Sequence, residues 1–427
     1  MLRGRLLLCL VVAVGCGYRG PYMAPPLREA PPPASAVDHR LILIGDAGDP
    51  DPEGEPTLHA LEKQVEKLPE RTTVVFLGDN VYETGMPDPT PIEGTPVEEI
   101  LDESLLNLYA SRRDAERRVK AQVKGVDVRG ARAIFVPGNH DWDQFGIGGW
   151  KRVRELERYV ESLAKNTEVR LSLLPGGGCP GPITRDLGRR GSLIILDTQW
   201  FLEAGDKPRA DNNPTGCAQA TADDVLAALG AALREARREG RAAIVVAHHP
   251  LRSHGPHGGY VSPRVHVFPL VMFGSYVPKW SHWIPIPGLG SLFGMTRAWF
   301  SPNVQDMSSG VNESMRDSLF AAMGEPAVDG AAPLMYAAGH EHSLQVFRSR
   351  RGPRYLVVSG LGAASKATPV GHDGASLFAH SDRERRGFMQ LDFLRDGRVR
   401  LAVIQCAPGT PDGAEVWAQL LETSGAR

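Results

Sequence analysis

The sequence has no excess of charge of either sign, because 48 lysines and arginines stand against 50 aspartates and glutamates, for a formal net charge of -2. A protein dedicated to nucleic-acid binding needs a basic excess for its phosphate contacts, so this class is excluded. Cysteine is also scarce, with five residues in 427, and none of the five has C-x-x-C spacing. That spacing is the mark of zinc ribbons and thioredoxin motifs, and both are therefore excluded.

The N-terminus lacks an apolar run long enough to cross a membrane. Leu6–Val14 follows two arginines and is too short to span a hydrocarbon core of about 30 Å as a helix. It fits a secretory signal peptide over residues 1–15. The small residues before Cys16 resemble a bacterial lipobox, in which Cys16 would carry the lipid of an exported, membrane-anchored lipoprotein facing the periplasm or cell surface. An ordinary cleaved signal peptide is the alternative. The proline-rich residues 16–37 are expected to form an extended tether.

Three cysteines remain once Cys9 is assigned to the signal peptide and Cys16 to the lipid. In an exported protein we expect a disulfide between Cys179 and Cys217, which both lie in loop-like sequence. Two free buried thiols are the alternative.

The sequence contains enough apolar residues to bury a core, since 42% of its residues are hydrophobic and 23% are charged. From residue 39 onward, short β-branched apolar runs alternate with helical or loop segments, which is typical of strands buried on both faces. We expect strands at 41–44, 73–77, 133–136, 193–196, 242–246, 334–337, 344–347, 355–358, 388–393 and 399–404, and helices at 56–67, 97–123, 150–163 and 222–238. The pattern predicts an α/β domain of layered sheets covered by helices over residues 38–408, followed by a C-terminal tail at 409–427.

Residues 255–310 interrupt this pattern. They are rich in aromatic residues, glycine and proline, and they show no sustained period of two or 3.6 residues. We interpret them as an insertion that packs on its own aromatic side chains over the sheet. The alternative is an apolar lid that contacts a membrane or a lipid-like substrate. The glycines from Gly288 to Gly294 do not form a dinucleotide fingerprint, because the third comes one residue late and no strand precedes them.

Five of the predicted strands end in polar residues. The ends read Gly45-Asp46-Ala47-Gly48, Gly78-Asp79-Asn80-Val81-Tyr82, Gly138-Asn139-His140-Asp141, His248-His249-Pro250 and Gly339-His340-Glu341-His342. Open α/β sheets build their sites at the carboxyl ends of strands. A single Gly-Asp is usually a turn, but five ends that carry almost only oxygen and imidazole donors predict a metal site.

The donors are numerous enough for two metal ions. They are Asp46, Asp79, Tyr82, Asn139, His248, His340 and His342. Seven protein ligands are too many for one catalytic ion that must keep a position open for water. With Asp79 bridging, each ion would have four protein donors. Oxygen and nitrogen donors without thiolate suit iron, zinc or manganese and exclude soft copper and iron–sulfur sites.

In their order and content these motifs resemble the calcineurin-like metallophosphoesterase superfamily, and within it the purple acid phosphatases. Position 48 is glycine where many members of the superfamily have histidine, and Tyr82 matches the tyrosine that replaces this donor in the purple acid phosphatase branch. The resemblance implies a four-layer α/β/β/α sandwich, with two mixed sheets flanked by helices. It also implies a dinuclear centre, with Fe(III) bound by Asp46, Asp79, Tyr82 and His342, and zinc, iron or manganese bound by Asp79, Asn139, His248 and His340.

The activity implied is that of an acid phosphatase, which hydrolyses phosphate monoesters of small molecules by attack of a metal-bound hydroxide. The alternatives are a phosphodiesterase or pyrophosphatase acting on nucleotides or lipid-linked phosphates, and a non-catalytic surface binding protein. No nucleic-acid binding is expected beyond nucleotide substrates.

The resemblance also assigns roles near the metals. His140 corresponds to a substrate-facing histidine, and His254 is our choice for a second acid–base histidine. Asp141 is expected either to orient His140 or to act only as a turn carboxylate. Asp197 follows the predicted strand 193–196 and is expected either to support the site or to end the strand in an ordinary turn.

Overall fold

The computed structural model describes residues 21–26, 30–88, 103–144, 148–271, 277–299, 301–324, 332–363, 367–407 and 409–423. The predicted signal peptide, the predicted lipidation site Cys16 and the first residues of the helix predicted at 97–123 lie outside the described residues.

The described chain forms fifteen strands and eight α-helices. The strands are β1 (Tyr22–Met23), β2 (Val37–Ile44), β3 (Thr72–Phe76), β4 (Arg132–Phe135), β5 (Arg170–Leu173), β6 (Ile183–Leu187), β7 (Gly191–Ile195), β8 (Ala242–Val246), β9 (Met335–Ala338), β10 (Leu344–Arg348), β11 (Tyr355–Ser359), β12 (Ser376–His380), β13 (Arg386–Leu394), β14 (Val399–Ala407) and β15 (Thr410–Leu421). The helices are α1 (Pro56–Glu66), α2 (Glu103–Lys124), α3 (Gly149–Ala164), α4 (Gln199–Leu202), α5 (Ala222–Arg238), α6 (Pro263–Val267), α7 (Leu289–Trp299) and α8 (Gly310–Met323).

The strands form two mixed sheets. One sheet has the order β15-β14-β13-β2-β3-β4-β5, and the other has the order β1-β12-β10-β11-β9-β8-β7-β6. In the first sheet β2, β3, β4 and β5 pair in parallel. In the second, β7, β8, β9 and β11 do the same. Because parallel strands bring their carboxyl ends to one edge, each sheet gathers several strand ends at a single edge.

The core is divided into layers, because successive side chains of a strand point to opposite faces of its sheet. In β2, Leu41 and Leu43 face the second sheet and join a cluster with Val246 from β8. Ile42 and Ile44 face the other way, into a cluster that includes residues of α1, α2 and α3. On the far side of the second sheet, a third cluster contains residues of α5 and α8. The layers are therefore helix, sheet, sheet and helix, which confirms the predicted α/β/β/α sandwich.

The helices begin and end where local chemistry favours it. In α5 the Thr221 side chain accepts a hydrogen bond from the backbone of Asp224 at 3.1 Å, which caps the first turn. Asp223 and Asp224 lie in that turn, and Arg237 and Arg238 lie in the last, so both ends complement the helix dipole. This helix has the bounds that the sequence predicted.

Both ends of the domain hold more structure than expected. Residues 410–421, predicted as part of a tail, form β15, which pairs with β14. In the predicted tether, Tyr22 and Met23 pair with β12, and the Trp417 indole donates to the Ala24 carbonyl at 3.1 Å. The prediction of a free tail is therefore wrong for β15, and the tether is in part bound to the sheet. β1, β5, β6 and β15 lie at sheet edges, where one side lacks a partner and a strong apolar signal is not required.

The insertion at 255–310 contains α6, α7 and 3₁₀ turns at Pro256–Gly258 and Lys279–Trp283. The Phe268 and Trp283 rings contact each other, with centroids 6.0 Å apart, so the expected packing of its aromatic side chains is present in part. Among the described helices, none combines the length and the apolar character that crossing a lipid bilayer would need. The predicted disulfide between Cys179 and Cys217 is confirmed, and Cys406 is free and buried.

Candidate metal centre

The five polar strand ends lie together between the two sheets. Asp46, Asp79 and Asn139 follow β2, β3 and β4 of the first sheet, while His248 and His340 follow β8 and β9 of the second. The backbones of Asp46, Asp79 and His340 adopt left-handed conformations, with φ of 56°, 55° and 69°. Such backbone is uncommon outside glycine, and it persists where surrounding contacts impose it.

Glycines let these ends approach closely. A Cβ at Gly78 would lie 2.3 Å from His248 Nδ1, and a Cβ at Gly138 would lie 2.3 Å from Asp79 Oδ1. A Cβ at Gly48 would lie 2.4 Å from the Asp79 carbonyl oxygen. Position 48 therefore has no room for a side chain that could bind a metal, and the oxygen beside Asp46 and Asp79 comes from Tyr82 instead.

One group of donors surrounds the Tyr82 hydroxyl. Tyr82 Oη lies 3.1 Å from Asp46 Oδ1, 3.1 Å from Asp79 Oδ2 and 3.0 Å from His342 Nε2. His342 Nε2 is 3.4 Å from Asp46 Oδ1. Asp46, Asp79 and His342 can each offer one atom to a common ion. Three oxygens and one imidazole nitrogen thus converge on one point, as the sequence predicts.

A second group surrounds the Asn139 side-chain oxygen. His248 Nε2 lies 2.8 Å from this oxygen and His340 Nδ1 lies 2.9 Å from it, and the two nitrogens are 3.2 Å apart. His248 Nε2 is also 3.4 Å from Asp79 Oδ1. One oxygen of Asp79 therefore faces the first group and the other faces the second. This is the position that a bridging carboxylate needs.

The environment of these donors fits cations. Asp46 and Asp79 are each 1% exposed, and none of the described ion pairs joins either carboxylate to lysine or arginine. Buried carboxylates without a cation are costly. Burial and the two carboxylates raise the pKa of the Tyr82 phenol, so a cation is what would allow it to lose its proton. Burial and the neighbouring His257 lower the pKa of His340, which keeps it in the neutral form that a metal ligand requires. The donor set therefore fits two metal ions.

Hydrogen bonds outside the donor set orient the imidazoles. His248 Nδ1 lies 2.8 Å from the Leu77 carbonyl oxygen, and His340 Nε2 lies 3.2 Å from the Gln305 carbonyl oxygen. A ring N–H held by a carbonyl leaves the opposite nitrogen free to face a metal. His249 is close to the same histidines, but its Nδ1 is 2.9 Å from Thr198 Oγ1 and its Nε2 is 2.7 Å from Gln305 Oε1. Both of its nitrogens are therefore used outside the donor set.

His140 lies beside the centre, and Asp141 lies beneath it. The His140 ring is 4.5 Å from the Tyr82 ring, and its Nε2 is 4.0 Å from Asp79 Oδ2. The buried Asp141 carboxylate accepts hydrogen bonds from the backbone nitrogens of Asn80 at 3.0 Å and Gly138 at 2.8 Å. None of the described hydrogen bonds joins it to His140, so of the two interpretations left open for Asp141 these bonds favour the turn carboxylate. It ties together the turns after β3 and β4, and burial and Asp79 raise its pKa to about 7.

The structure brings His257, rather than the predicted His254, to the donors. His254 Nε2 lies 3.2 Å from Asp373 Oδ2, and its ring packs against Phe347, with centroids 5.2 Å apart. The ring of His257 instead packs on that of His340, with centroids 4.3 Å apart. The 3₁₀ turn at Pro256–Gly258 places it there. The geometry therefore favours His257 over His254 as the histidine beside the donors.

Two acids that the sequence interpretation missed hold His257 in place. Asp306 Oδ1 lies 2.8 Å from His257 Nδ1, and the same carboxylate accepts hydrogen bonds from Arg297 at 2.9 and 2.6 Å. Glu341 is fully buried and accepts hydrogen bonds from Ser253 Oγ at 3.0 Å and the His257 backbone nitrogen at 2.9 Å. The position of Glu341 between His340 and His342 was a usable signal in the sequence. Asp306 lay in the insertion, where no pattern pointed to it.

Asp197 lies buried just after β7. Its buried carboxylate accepts hydrogen bonds from the Trp142 indole at 2.8 Å and from the Trp200 backbone nitrogen at 3.2 Å. Burial raises its pKa to about 7. The Trp200 bond forms a turn at the strand end, and the Trp142 bond joins this turn to the chain after β4, so the bonds fit both interpretations left open for Asp197.

Comparisons with known proteins agree with this geometry. A family model described as calcineurin-like phosphoesterase matches residues 39–274. A comparison with curated proteins finds no match. Among solved structures, the chain is similar to GAP50, named as the anchor in the inner membrane complex of Plasmodium, with a TM-score of 0.50 and 15% identity over 91% of this chain and 90% of that chain. It is also similar to a dimetal phosphatase from Danio rerio, with a TM-score of 0.42 and 11% identity over 91% of this chain and 100% of that chain.

Proposed function

The chain belongs to the calcineurin-like phosphoesterase family, and from this premise we propose that it is a two-metal phosphatase that hydrolyses phosphate monoesters of small molecules. The observation that carries the proposal is the position of Asp79. Its two oxygens face two separate groups of donors, Oδ2 at 3.1 Å from Tyr82 Oη and Oδ1 at 3.4 Å from His248 Nε2. When bound there, two ions would lower the pKa of a water and neutralise charge on the phosphate oxygens.

The proposal extends to the purple acid phosphatase branch. Tyr82 Oη lies within 3.1 Å of both buried carboxylates, and position 48 has no room for a side chain. A phenol oxygen with two carboxylates is a hard oxygen set that suits Fe(III), and the more nitrogen-rich second group suits zinc, iron or manganese. These residues support the branch by their chemistry, and metal analysis of the purified protein would test it.

Two histidines beside the donors are candidates for proton transfer and phosphate binding. The side chains of His140 and His257 are 17% and 26% exposed, so both are accessible from solvent. We assign His140 to the phosphoryl oxygens and His257 to protonation of the leaving alkoxide. Asp306 accepts from His257 Nδ1, which directs Nε2 away from Asp306 and leaves it available to move a proton. Asp306 and Glu341 act through His257 and are positioning residues.

The alternatives remain a phosphodiesterase or pyrophosphatase, and a non-catalytic surface binding protein. The likeness to GAP50 keeps the surface binding protein among the alternatives, because GAP50 is named as an anchor. A shared fold does not decide between binding and catalysis. All seven predicted donors lie in the two groups, and a protein that only binds partners would not need them. This favours an enzyme.

The test compares an aryl phosphate monoester with the matching diester across pH, using wild type and Asp79→Asn. We expect monoester preference at acidic pH, and loss of turnover and of bound metal in Asp79→Asn, because the charge between the two ions is removed. Asp223→Asn, in the exposed first turn of α5, is the matched control and keeps wild-type activity. Preference for the diester would move the assignment to a phosphodiesterase. Wild-type kcat and metal content in Asp79→Asn would overturn the two-metal centre.

We also propose that the protein is exported and anchored through lipid on Cys16. The disulfide between Cys179 and Cys217 supports an oxidising compartment. If the anchor exists, Cys16→Ser moves the protein from the membrane fraction to the soluble exported fraction. Unchanged fractionation of Cys16→Ser would favour an ordinary cleaved signal peptide or another membrane contact.

A further inference from the structure

One segment of the insertion carries most of the exposed large hydrophobic side chains that the structure describes. Outside it, only Met23 and Val311 belong to this set. The members inside it are Val267, Trp280, Trp283, Ile284, Ile286, Leu289, Leu292 and Trp299, which we call the aromatic face. Its three tryptophans are 71%, 65% and 69% exposed. Soluble proteins seldom concentrate so much apolar surface in one place unless it binds something.

The packing of helix α7 explains part of this exposure. A Cβ at Gly290 would lie 1.8 Å from the Val265 carbonyl oxygen, and a Cβ at Gly294 would lie 2.8 Å from Val261 Cγ2. The helix therefore packs inward through its glycines. Leu289, Leu292 and Trp299 lie on the other side of the helix and are 48%, 58% and 69% exposed. A helix usually buries its large apolar side chains, and these three point outward instead.

Contacts within the segment hold the rest of the face together. The Ile286 backbone nitrogen donates to the Val267 carbonyl oxygen at 2.9 Å, which joins the residues before α7 to α6. The Arg264 guanidinium lies over the Trp283 ring, 4.6 Å from its centroid. These contacts bring Val267, Ile286 and Trp283 to one part of the surface. The aromatic face is therefore a folded feature of the segment.

The charge of this region points to an anionic partner. Between Glu239 and Asp306 the sequence contains no aspartate or glutamate, while Arg264 and Lys279 lie in the segment that carries the aromatic face. Arg297 is paired with Asp306 and adds no free charge. Tryptophan with aliphatic and basic residues, without acids, is the composition of surfaces that lie at a lipid interface. A second copy of this chain would bring basic groups against basic groups with no acid to pair them, which disfavours self-association.

A basic cavity adjoins the face at Trp299. It has a volume of about 1160 Å³, and its lining includes Arg252, Arg316, Arg348, Arg350, Arg351 and one acid, Glu313. Ion pairs with Asp373, Glu422 and Asp317 offset three of these arginines. With one acid in the lining and three of the five arginines paired, the cavity keeps about one net positive charge, and it shares Trp299 with the aromatic face.

We propose that the aromatic face docks the protein on an anionic lipid surface, with Trp280, Trp283 and Trp299 at the level of the headgroups. The proposal goes beyond phosphate hydrolysis and does not depend on it. It also does not depend on a lipid at Cys16, because the face lies on the folded domain.

The test uses the full chain in a Cys16→Ser background, so that no lipid is attached. Vesicles of phosphatidylcholine alone are compared with vesicles of phosphatidylcholine and phosphatidylglycerol in equal amounts, each also prepared with acyl-brominated lipid. We expect brominated lipid to quench tryptophan emission on the anionic vesicles, and added salt to weaken binding. Replacing all three tryptophans by serine lowers the vesicle partition coefficient about tenfold or more, since each tryptophan buries a large apolar area. Val311→Ser, which changes an exposed apolar residue outside the face, leaves it unchanged.

Quenching is the decisive measurement, because the N-terminal apolar run could hold the protein on vesicles by itself. Vesicle-bound protein with unquenched tryptophan emission would overturn the proposal, as would equal quenching by brominated lipid in the triple variant and wild type. Association of copies that is lost in the triple variant, without quenching, would assign the face to a dimer and overturn lipid docking. Thermal unfolding of the triple variant, compared with that of wild type, shows that the domain still folds.

Discussion

Replacement of Asp306 by asparagine tests how the insertion supports the metal centre. The Asp306 side chain is 3% exposed and accepts hydrogen bonds from Arg297, His257 and Ser301, the last at 2.7 Å. Asp306→Asn removes the charge and leaves Arg297, whose side chain is 25% exposed, without its counterion. Breaking a fully buried ion pair costs about 3–5 kcal/mol, and partial solvent access to Arg297 reduces this to about 2 kcal/mol. We expect the free energy of unfolding at pH 7 to fall by that amount.

The pH dependence of this loss has a defined sign. Burial raises the pKa of Asp306, but the hydrogen bonds from His257, Arg297 and Ser301 lower it more, to well below its usual range. A carboxylate with a depressed pKa stabilises the folded state above its unfolded pKa of about 3.9, and this stabilisation is lost as the pH falls toward the folded value. The difference between wild type and Asp306→Asn is therefore constant from pH 7 to about 5 and shrinks below about 4.

Urea unfolding at a series of pH values measures both effects. Asp317→Asn is the matched control, because Asp317 pairs with Arg351 at 3.3 Å but its side chain is 61% exposed. An exposed pair of this kind contributes at most about 1 kcal/mol. Equal losses in the two variants at pH 7, or a loss in Asp306→Asn that does not shrink in acid, would refute the reasoning.

Three further changes probe the centre and its frame. His257→Ala lowers monoester kcat about 100-fold, because it removes a general acid, and His254→Ala leaves kcat nearly unchanged. Equal effects of the two changes on kcat in steady-state assays would contradict the assignment of His257 as the general acid. Glu341→Gln disturbs the backbone around His257 and lowers kcat about tenfold, and elemental analysis finds the metals retained. Loss of metal would instead show that Glu341 supports the metal ligands. The double change Cys179→Ser with Cys217→Ser opens a loop with a sequence separation of 38 and lowers the free energy of unfolding by about 4 kcal/mol in urea. An unchanged midpoint would show that the disulfide adds nothing to stability.

The metal donors could be predicted from the sequence because each lies within a few residues of the end of a buried strand. Apolar runs mark such strands, and the carboxyl ends of parallel strands meet at one edge of a sheet, so local patterns sufficed to bring Asp46 and Asp79 together. His248 follows a strand of the second sheet and meets them because the two sheets pack against each other. Tyr82 could be predicted with Asp79, because it lies three residues later in the same turn. These are short-range inferences, and the structure brings the side chains together; that they bind metal stays a prediction.

The surroundings of the donors could not be predicted in the same way. His257 is placed by Glu341 and Asp306, which are 84 and 49 residues away in the sequence, and no local pattern shows that such residues meet. The sequence left two roles open for Asp141 because neighbours in a tight turn, such as His140 and Asp141, need not point in the same direction. β15 was missed because it starts with Thr-Pro-Asp-Gly, which is typical of a turn.

The short strand β1 has a consequence for the working distance of the domain. Because Tyr22 and Met23 are already paired with β12, only six peptide steps separate the proposed attachment point at Cys16 from the folded body. Fully extended, six residues reach about 20 Å. A domain attached through so short a linker cannot reach far from the bilayer surface. It would sample a thin shell next to the lipid, and its substrates would have to arrive there by diffusion or already reside in the membrane.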